Sequence, residues 1–171
     1  NVAWNVMSYY HGEELSGRMS RQEAQTHSLL AIEEIRYGED ARDYFWVTDD
    51  RPSLVMHPYS KELVGEDLNE FRDPNGKKLF VEIRDRVARE GSGFIDYSWN
   101  KKYQQETVTA KLSYVKLFEP WHWVVGTGVF LDDVERKVEH ITERLSLLSL
   151  LVVATVLGIL IFVGRQGYSS E

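Results

Sequence analysis

The stretch DYFWVTDDRPSLVMH, residues 43–57, decides how the soluble part of this chain is built. Aromatic and β-branched residues fill Asp43–Thr48, Asp49-Asp50-Arg51-Pro52 is a turn cluster, and Leu54–His57 resumes a β-favouring run. The pattern predicts an antiparallel hairpin. Downstream, residues 58–76 read as an irregular loop anchored by Leu63, Leu68 and Phe71, and Asp73-Pro74-Asn75-Gly76 supplies a turn or helix start. Leu79, Phe80, Ile83 and Val87 then share one helical face as far as a stop at Gly91. Residues 93–99 alternate as a strand, with Ile95, Tyr97 and Trp99 on one face and Phe94, Asp96 and Ser98 on the other. Lys101–Glu106 is a polar hairpin turn, and Glu119-Pro120 separates two further strands, 107–118 and 121–130.

Upstream of the hairpin the period is helical. Val2, Val6, Tyr9 and Tyr10 recur at helical spacing, and a pause spans Glu13–Met19. Ser20 opens a capping box with Glu23, after which Ala24, His27, Ala31, Ile32 and Ile35 keep the period until Tyr37-Gly38. The expectation is one long helix with a candidate break near Gly17. At the other end Asp132-Asp133 starts a helix whose acids complement its N-terminal dipole. It passes Val138 and Ile141 without Gly or Pro into LSLLSLLVVATVLGILIFV, residues 145–163. This uncharged run spans about 28 Å at the helical rise, close to the ~30 Å hydrocarbon core of a bilayer. Arg144 and Arg165 bracket it, and it lacks the polar stripe of a helix buried in a soluble core. It reads as a transmembrane helix.

The fold class that follows is α+β: a five-stranded antiparallel sheet with a long N-terminal helix and a C-terminal helix continuing into a membrane span. The expected organisation is a helical segment over 1–38, a core over 39–135, a juxtamembrane helix over 136–144, the span over 145–163 and the start of a cytoplasmic segment over 164–171. Opening on Asn1, with no second apolar run at its start, the chain is expected to be a piece of a longer protein.

Composition narrows the functional classes. The formal net charge of -7 opposes nucleic-acid binding, which needs a basic footprint, and opposes lying flat on an anionic membrane. The absence of cysteine excludes disulfides, thiolate catalysis and cysteine-ligated zinc. No G-x-S-x-G elbow or H-E-x-x-H zinc helix is present, and Gly126-Thr127-Gly128 lies within a strand, where it serves close packing rather than a dinucleotide. Asp49-Asp50 and Asp132-Asp133 are explained by a turn and a helix start. No catalysis, cofactor or metal is expected.

Read together, DYFWVTDDRPSLVMHPYSKELVGEDLNEFRDPNGKKLF (43–80), GSGFIDYSW (91–99), KLSYVKLFEPWHWVVGTGVFLDDV (111–134) and SRQEAQ (20–25) resemble the signature of single Cache domains. These are PAS-like extracytoplasmic sensor modules of bacterial receptors, and the resemblance covers roughly residues 15–135. Two departures are modest: His122 stands where the family often has Gly between two tryptophans, and Phe130 replaces a common Tyr. The resemblance implies a periplasmic or extracellular domain flanked by two transmembrane helices, as carried by chemoreceptors, histidine kinases and nucleotide cyclases, in the cell inner membrane. It implies one pocket per domain for a small organic acid such as acetate, propionate or pyruvate.

A small carboxylate needs a cation or several aimed N–H and O–H donors in a cavity whose remaining wall is apolar. Tyr44 and Trp46 share one face of the first strand, His57 ends the second before Pro58, and Tyr97 and Trp99 share a face of the third. Lys111 and Tyr114 lie on the fourth. The resemblance puts these positions, with Met56, in or beside the pocket. Each has a plainer reading: the aromatics as core, and His57 as a histidine bonding the loop backbone. Lys111, between Ala110 and Leu112 in a central strand, needs a counter-charge, from a ligand or from Asp49 or Asp96. Strict alternation sends Lys111 and Tyr114 to opposite faces, so both reach one pocket only through a bulge or from its rim.

The leading expectation is therefore the non-enzymatic ligand-sensing domain of a dimeric transmembrane receptor, with Ala154 and Gly158 offering a small-xxx-small helix contact. The alternative is a membrane-anchored dimerisation or interaction module with no metabolite ligand.

Overall fold

A computed structural model describes residues 2–38, 41–101 and 107–168, with side chains as far as Ile161. The polar turn expected after Lys101 and the chain's last residues lie outside the described residues. The chain divides into two compact units, one ending at Leu131 and one beginning at Asp132.

The first unit opens with two helices, α1 (Val2–Leu15) and α2 (Arg21–Glu33), instead of the single long one. Gly17 takes a left-handed φ of 72° that ends the first, and Ser20 caps the second, its hydroxyl accepting from the Glu23 amide while the Glu23 carboxylate accepts from the Ser20 amide. The pair folds back on itself: Tyr10 stacks on His27 with ring centroids 5.8 Å apart. Glu14 fixes this hairpin, accepting from Arg21 at 3.0 Å and from the Trp121 indole at 2.7 Å.

The sheet contains β1 (Arg36–Tyr37), β2 (Asp43–Asp49), β3 (Leu54–Met56), β4 (Ser92–Lys101), β5 (Thr107–Phe118) and β6 (Trp123–Phe130). The order is β1-β2-β6-β5-β4, with β3 also on β2 and every pairing antiparallel. The five strands read from the sequence are there, and the two-residue β1 is an addition too short to leave a periodic signal. Between β3 and β4 runs α3 (Leu79–Glu90), closed by Gly91 at φ 72°.

Each face of the sheet has its own core. One buries Phe45, Val47, Phe118, Trp123 and Val125 against Ala3, Met7, Ala24 and Ile32 of the two helices. The other packs Tyr44, Trp46, Ile95, Tyr97, Trp99, Val115, Val124 and Phe130 under Leu54, Leu68 and the apolar face of α3. Asp73 pins the loop to the sheet on this side. Its buried carboxylate accepts the amides of Asn75, Lys77 and Ser98; burial acts to raise its pKa, but those three donors outweigh it and hold the group below its usual range. His122, in the turn before β6, has φ 53°, a backbone where glycine is the cheaper residue; this explains the glycine that the family often carries there.

The second unit, from Asp132 on, is formed by one helix, α4 (Leu131–Tyr168). Its length and apolar composition make it a candidate membrane span, and Ser146, Ser149 and Thr155 return their hydroxyls to the carbonyls of Thr142, Leu145 and Leu151.

Candidate functional site

Three registers assemble the site. On the α3 side, β4–β5–β6 pairing aligns Tyr97 with Lys111 and Lys111 with Phe130. One step along, Ile95 meets Ser113 and Ser113 meets Gly128; the next step brings Val115 to Gly126 and Gly126 to Trp46. The two glycines of β6 therefore face the same side, and they hollow the floor. A Cβ on Gly126 would fall within the Trp46 indole, and one on Gly128 would strike Ser113 and the Leu112 carbonyl.

Lys111 is the central group. It is only 1% exposed, and its Nζ donates to Tyr44 Oη at 2.9 Å while lying 4.1 Å from the Tyr44 ring centroid and 4.8 Å from that of Phe130. Among the described residues no carboxylate stands within ion-pair distance of it. Burial pushes its pKa down to about 7, the Asp43 charge acting in the opposite direction. Neither acid weighed from the sequence serves as the counter-charge: Asp49 accepts the amides of Arg51 and Ser53, and Asp96 meets Lys77. The acid whose field reaches Lys111 is Asp43, at the start of β2.

His57 closes the space beside Tyr44. Its ring lies 5.0 Å from Tyr44 and 5.8 Å from Trp99. Nδ1 accepts from the amides of Tyr59 at 3.1 Å and Ser60 at 2.9 Å, so in the neutral ring the proton sits on Nε2. His57 thus has the loop-bonding role of the plainer reading and also forms part of the cavity wall. Tyr97 shares a 2.9 Å hydrogen bond with Ser113, and burial raises its phenol pKa far above neutrality, so it is a neutral donor or acceptor at any physiological pH. Tyr59, which the sequence reading left out, packs 5.0 Å from the Tyr44 ring.

Under α3 lies a cavity lined by Trp46, Leu54, His57, Leu79, Phe80, Ile83, Tyr97 and Trp99, with a volume of about 10 Å³; Lys111 and Tyr44 stand behind this lining, next to Tyr97 and His57. That volume is room for one water molecule. Trp46 Nε1, in its wall, and Thr48 Oγ1, two residues along the same face, are buried without a hydrogen-bond partner.

Six of the eight sequence candidates (Tyr44, Trp46, His57, Tyr97, Trp99 and Lys111) come together on this face. Met56 and Tyr114 do not. The β2–β3 register slips between Val47 and Thr48, so Leu54 pairs with Thr48 on the cavity side and Met56 with Val47 on the helix side. No slip occurs between β4 and β5, so Tyr114 keeps its alternation, pairs with Phe94 and packs edge-on against that exposed ring at 5.2 Å.

An antiparallel sheet carrying an aromatic-walled cavity on one face and a helical hairpin on the other is the architecture of a small-molecule sensor domain. The family described as single Cache domain 2 matches residues 1–144, and the chain belongs to it. Among curated relatives, the methyl-accepting chemotaxis protein McpP of Pseudomonas putida is 40% identical over 134 residues, covering 78% of this chain and 24% of that protein. The sensor histidine kinase MctS of Rhizobium johnstonii is 37% identical over 116 residues, 67% of this chain and 24% of that one. The chain therefore spans about a quarter of the length of the curated relatives it matches. Among solved structures, a Cache chemosensory domain described for carboxylic acid recognition superposes with a TM-score of 0.71 at 38% identity, covering 75% of this chain and 86% of that one. A periplasmic sensor domain of a chemotaxis protein gives 0.70 at 40% identity, with 75% and 88% covered. The chain is a Cache sensor domain of the kind found in chemotaxis receptors and sensor kinases, joined to a candidate membrane span.

Proposed function

We propose that this chain is the extracytoplasmic ligand-sensing part of a dimeric bacterial receptor, a chemoreceptor or sensor kinase of the inner membrane, and that it binds a small organic acid of the acetate, propionate or pyruvate class at Lys111. The observation that carries the reading is a buried ammonium with a phenol and two aromatic rings beside it and no carboxylate at ion-pair distance among the described residues. A ligand carboxylate supplies the missing charge, so a desolvated cation becomes half of a charge-assisted pair. The His57 Nε2–H and the Tyr44 hydroxyl are the neighbouring polar groups, and Trp99, Phe80 and Leu54 form the wall for a one- or two-carbon tail. The solved Cache neighbour described for carboxylic acid recognition supports the same class.

A cavity of about 10 Å³ is too small for acetate, so binding widens it, and the segment after Pro58 is the part that gives. The ligand then biases output through Phe130, whose ring lies against Lys111 and whose chain neighbour Leu131 opens α4. The span over residues 145–163 anchors the domain and carries the change across the membrane. The domain itself performs no catalysis.

The same small cavity favours the second reading, a dimerisation module with no metabolite. Calorimetry with C2–C4 monocarboxylates separates the two. The sensor reading expects one site per domain and loss of all binding in Lys111→Met with the fold retained. Silence across the whole panel selects the dimerisation module.

A further inference from the structure

Every residue that lines the cavity is buried, so a ligand needs a way in. A groove of about 470 Å³ lies between α2 and the β3 segment, lined among others by Leu29, Leu30, Glu33, Val55, His57 and Lys61. His57, itself 3% exposed, lines both this groove and the inner cavity. One imidazole is the partition between them. The groove beside the Asp49–Arg51 turn shares no residue with the cavity.

One contact joins two residues of the groove's lining, Glu33 and Lys61, and a second, from Arg36 in β1 to Tyr59, ties the same loop to the chain just beyond α2. Lys61 forms an ion pair and hydrogen bond with Glu33, the last residue of that helix. Arg36, held by the Glu33 and Ile35 carbonyls, donates to Tyr59 Oη at 3.2 Å and stacks 5.2 Å over its ring. Across the mouth, the segment after β3 joins the sheet by no strand ladder among the described residues, only by the isolated bridges Ser53–Asp67 and Leu54–Val64 on either side of it, while His57 and Ser60 are buried and Tyr59 packs on Tyr44. A segment bonded in this way opens locally before the sheet does. Lys61, its side chain 66% exposed, puts a cation at this mouth in a chain of net charge -7, where it favours the approach of an anion.

We infer that this groove is the entrance to the ligand site and that Glu33–Lys61, with Arg36–Tyr59 beside it, is the latch that holds it shut. The inference rests on the carboxylate reading. When the latch opens, the segment of residues 57–64 swings from α2, His57 leaves the partition, and the acid passes to Lys111. A latch of this kind sets how fast a ligand comes and goes; because it re-forms once the ligand is inside, it leaves the affinity nearly unchanged.

Stopped-flow tryptophan fluorescence with acetate, propionate and pyruvate, reporting on Trp46 and Trp99 in the wall, reads both rate constants. Glu33→Gln and Lys61→Met each remove the ion pair without touching the site. Association and dissociation are expected to quicken together by about two- to fivefold, the range an exposed ion pair supports, with Kd held within about twofold. The double variant is expected to add nothing to either single one, and Glu90→Gln, which breaks the Arg86–Glu90 pair on α3, to change neither rate. Unchanged rates in both single variants, in a protein that still binds, overturn the latch alone. Slower association in Lys61→Met with Glu33→Gln unaffected overturns it too, because Lys61 is then only an attracting charge. A domain that binds none of the three acids overturns the carboxylate reading and the latch with it.

Discussion

On the helix side of the sheet, Trp4, His11 and Trp121 pack edge-on against Phe118 or one another at 5.2 to 6.0 Å, and the side chains of β2, β5 and β6 meet Met7, Ala24 and Ile32 with nothing charged buried among them. On the α3 side the same three strands present a buried lysine, a threonine hydroxyl and an indole N–H without partners, and a hole the size of a water molecule. One face is packed for stability. The other buries a lysine beside a hollow, a desolvation cost that a bound water or a ligand would offset, whereas the helix side has only the Ser28 hydroxyl unpartnered among its described side chains.

The largest effect is expected where packing is densest. Phe118→Ala should cost about 3–5 kcal/mol in chemical denaturation while leaving carboxylate affinity within about twofold. A variant that loses binding in proportion to stability would show that the two faces are not independent. Lys111→Met should do the reverse, raising stability by about 1–4 kcal/mol in the absence of ligand and abolishing binding. Destabilisation by that change would mean that Lys111 already has its counter-charge.

The same lysine sets a pH signature. Its pKa falls from 10.5 in the unfolded chain to about 7 in the folded one, so between these values the unfolded state holds a proton that the folded state lacks. Stability relative to Lys111→Met should therefore rise from pH 7 towards pH 10.5, by at most about 1.4 kcal/mol per pH unit. Parallel pH profiles for the two proteins would contradict a depressed Lys111. The smallest effect belongs to Thr48→Val, which removes a buried unpartnered hydroxyl at constant shape and should stabilise by about 1 kcal/mol; a loss instead would reveal a bound water.

Most of the architecture was legible from two signals: β5 buries alternate residues over much of its length, which leaves a period of two, while β2 and β6, buried on both faces, announce themselves by aromatic and β-branched composition. The Ser20–Glu23 capping box was legible because its chemistry is local. The helical hairpin was less so, since Gly17 marks a break but not the direction taken after it. At the site, alternation set Lys111 against Tyr114, whereas Met56, put at the pocket by the resemblance alone, turns to the helix side through a register slip that leaves no mark in a three-residue strand. Asp43 as the acid acting on Lys111, and Tyr59 as a neighbour of Tyr44, arise from contacts across the fold that no spacing encodes.

Calorimetric titration of the domain with propionate at pH 8, in two buffers of different ionisation enthalpy, bears most directly on Lys111. At that pH the free domain holds Lys111 mostly neutral, so capture of a carboxylate should draw in close to one proton per ligand, and the observed heats should differ between the buffers accordingly. Binding with the same heat in both buffers, and so with no proton taken up, would contradict a Lys111 that waits neutral in the free domain and is charged by the acid it receives.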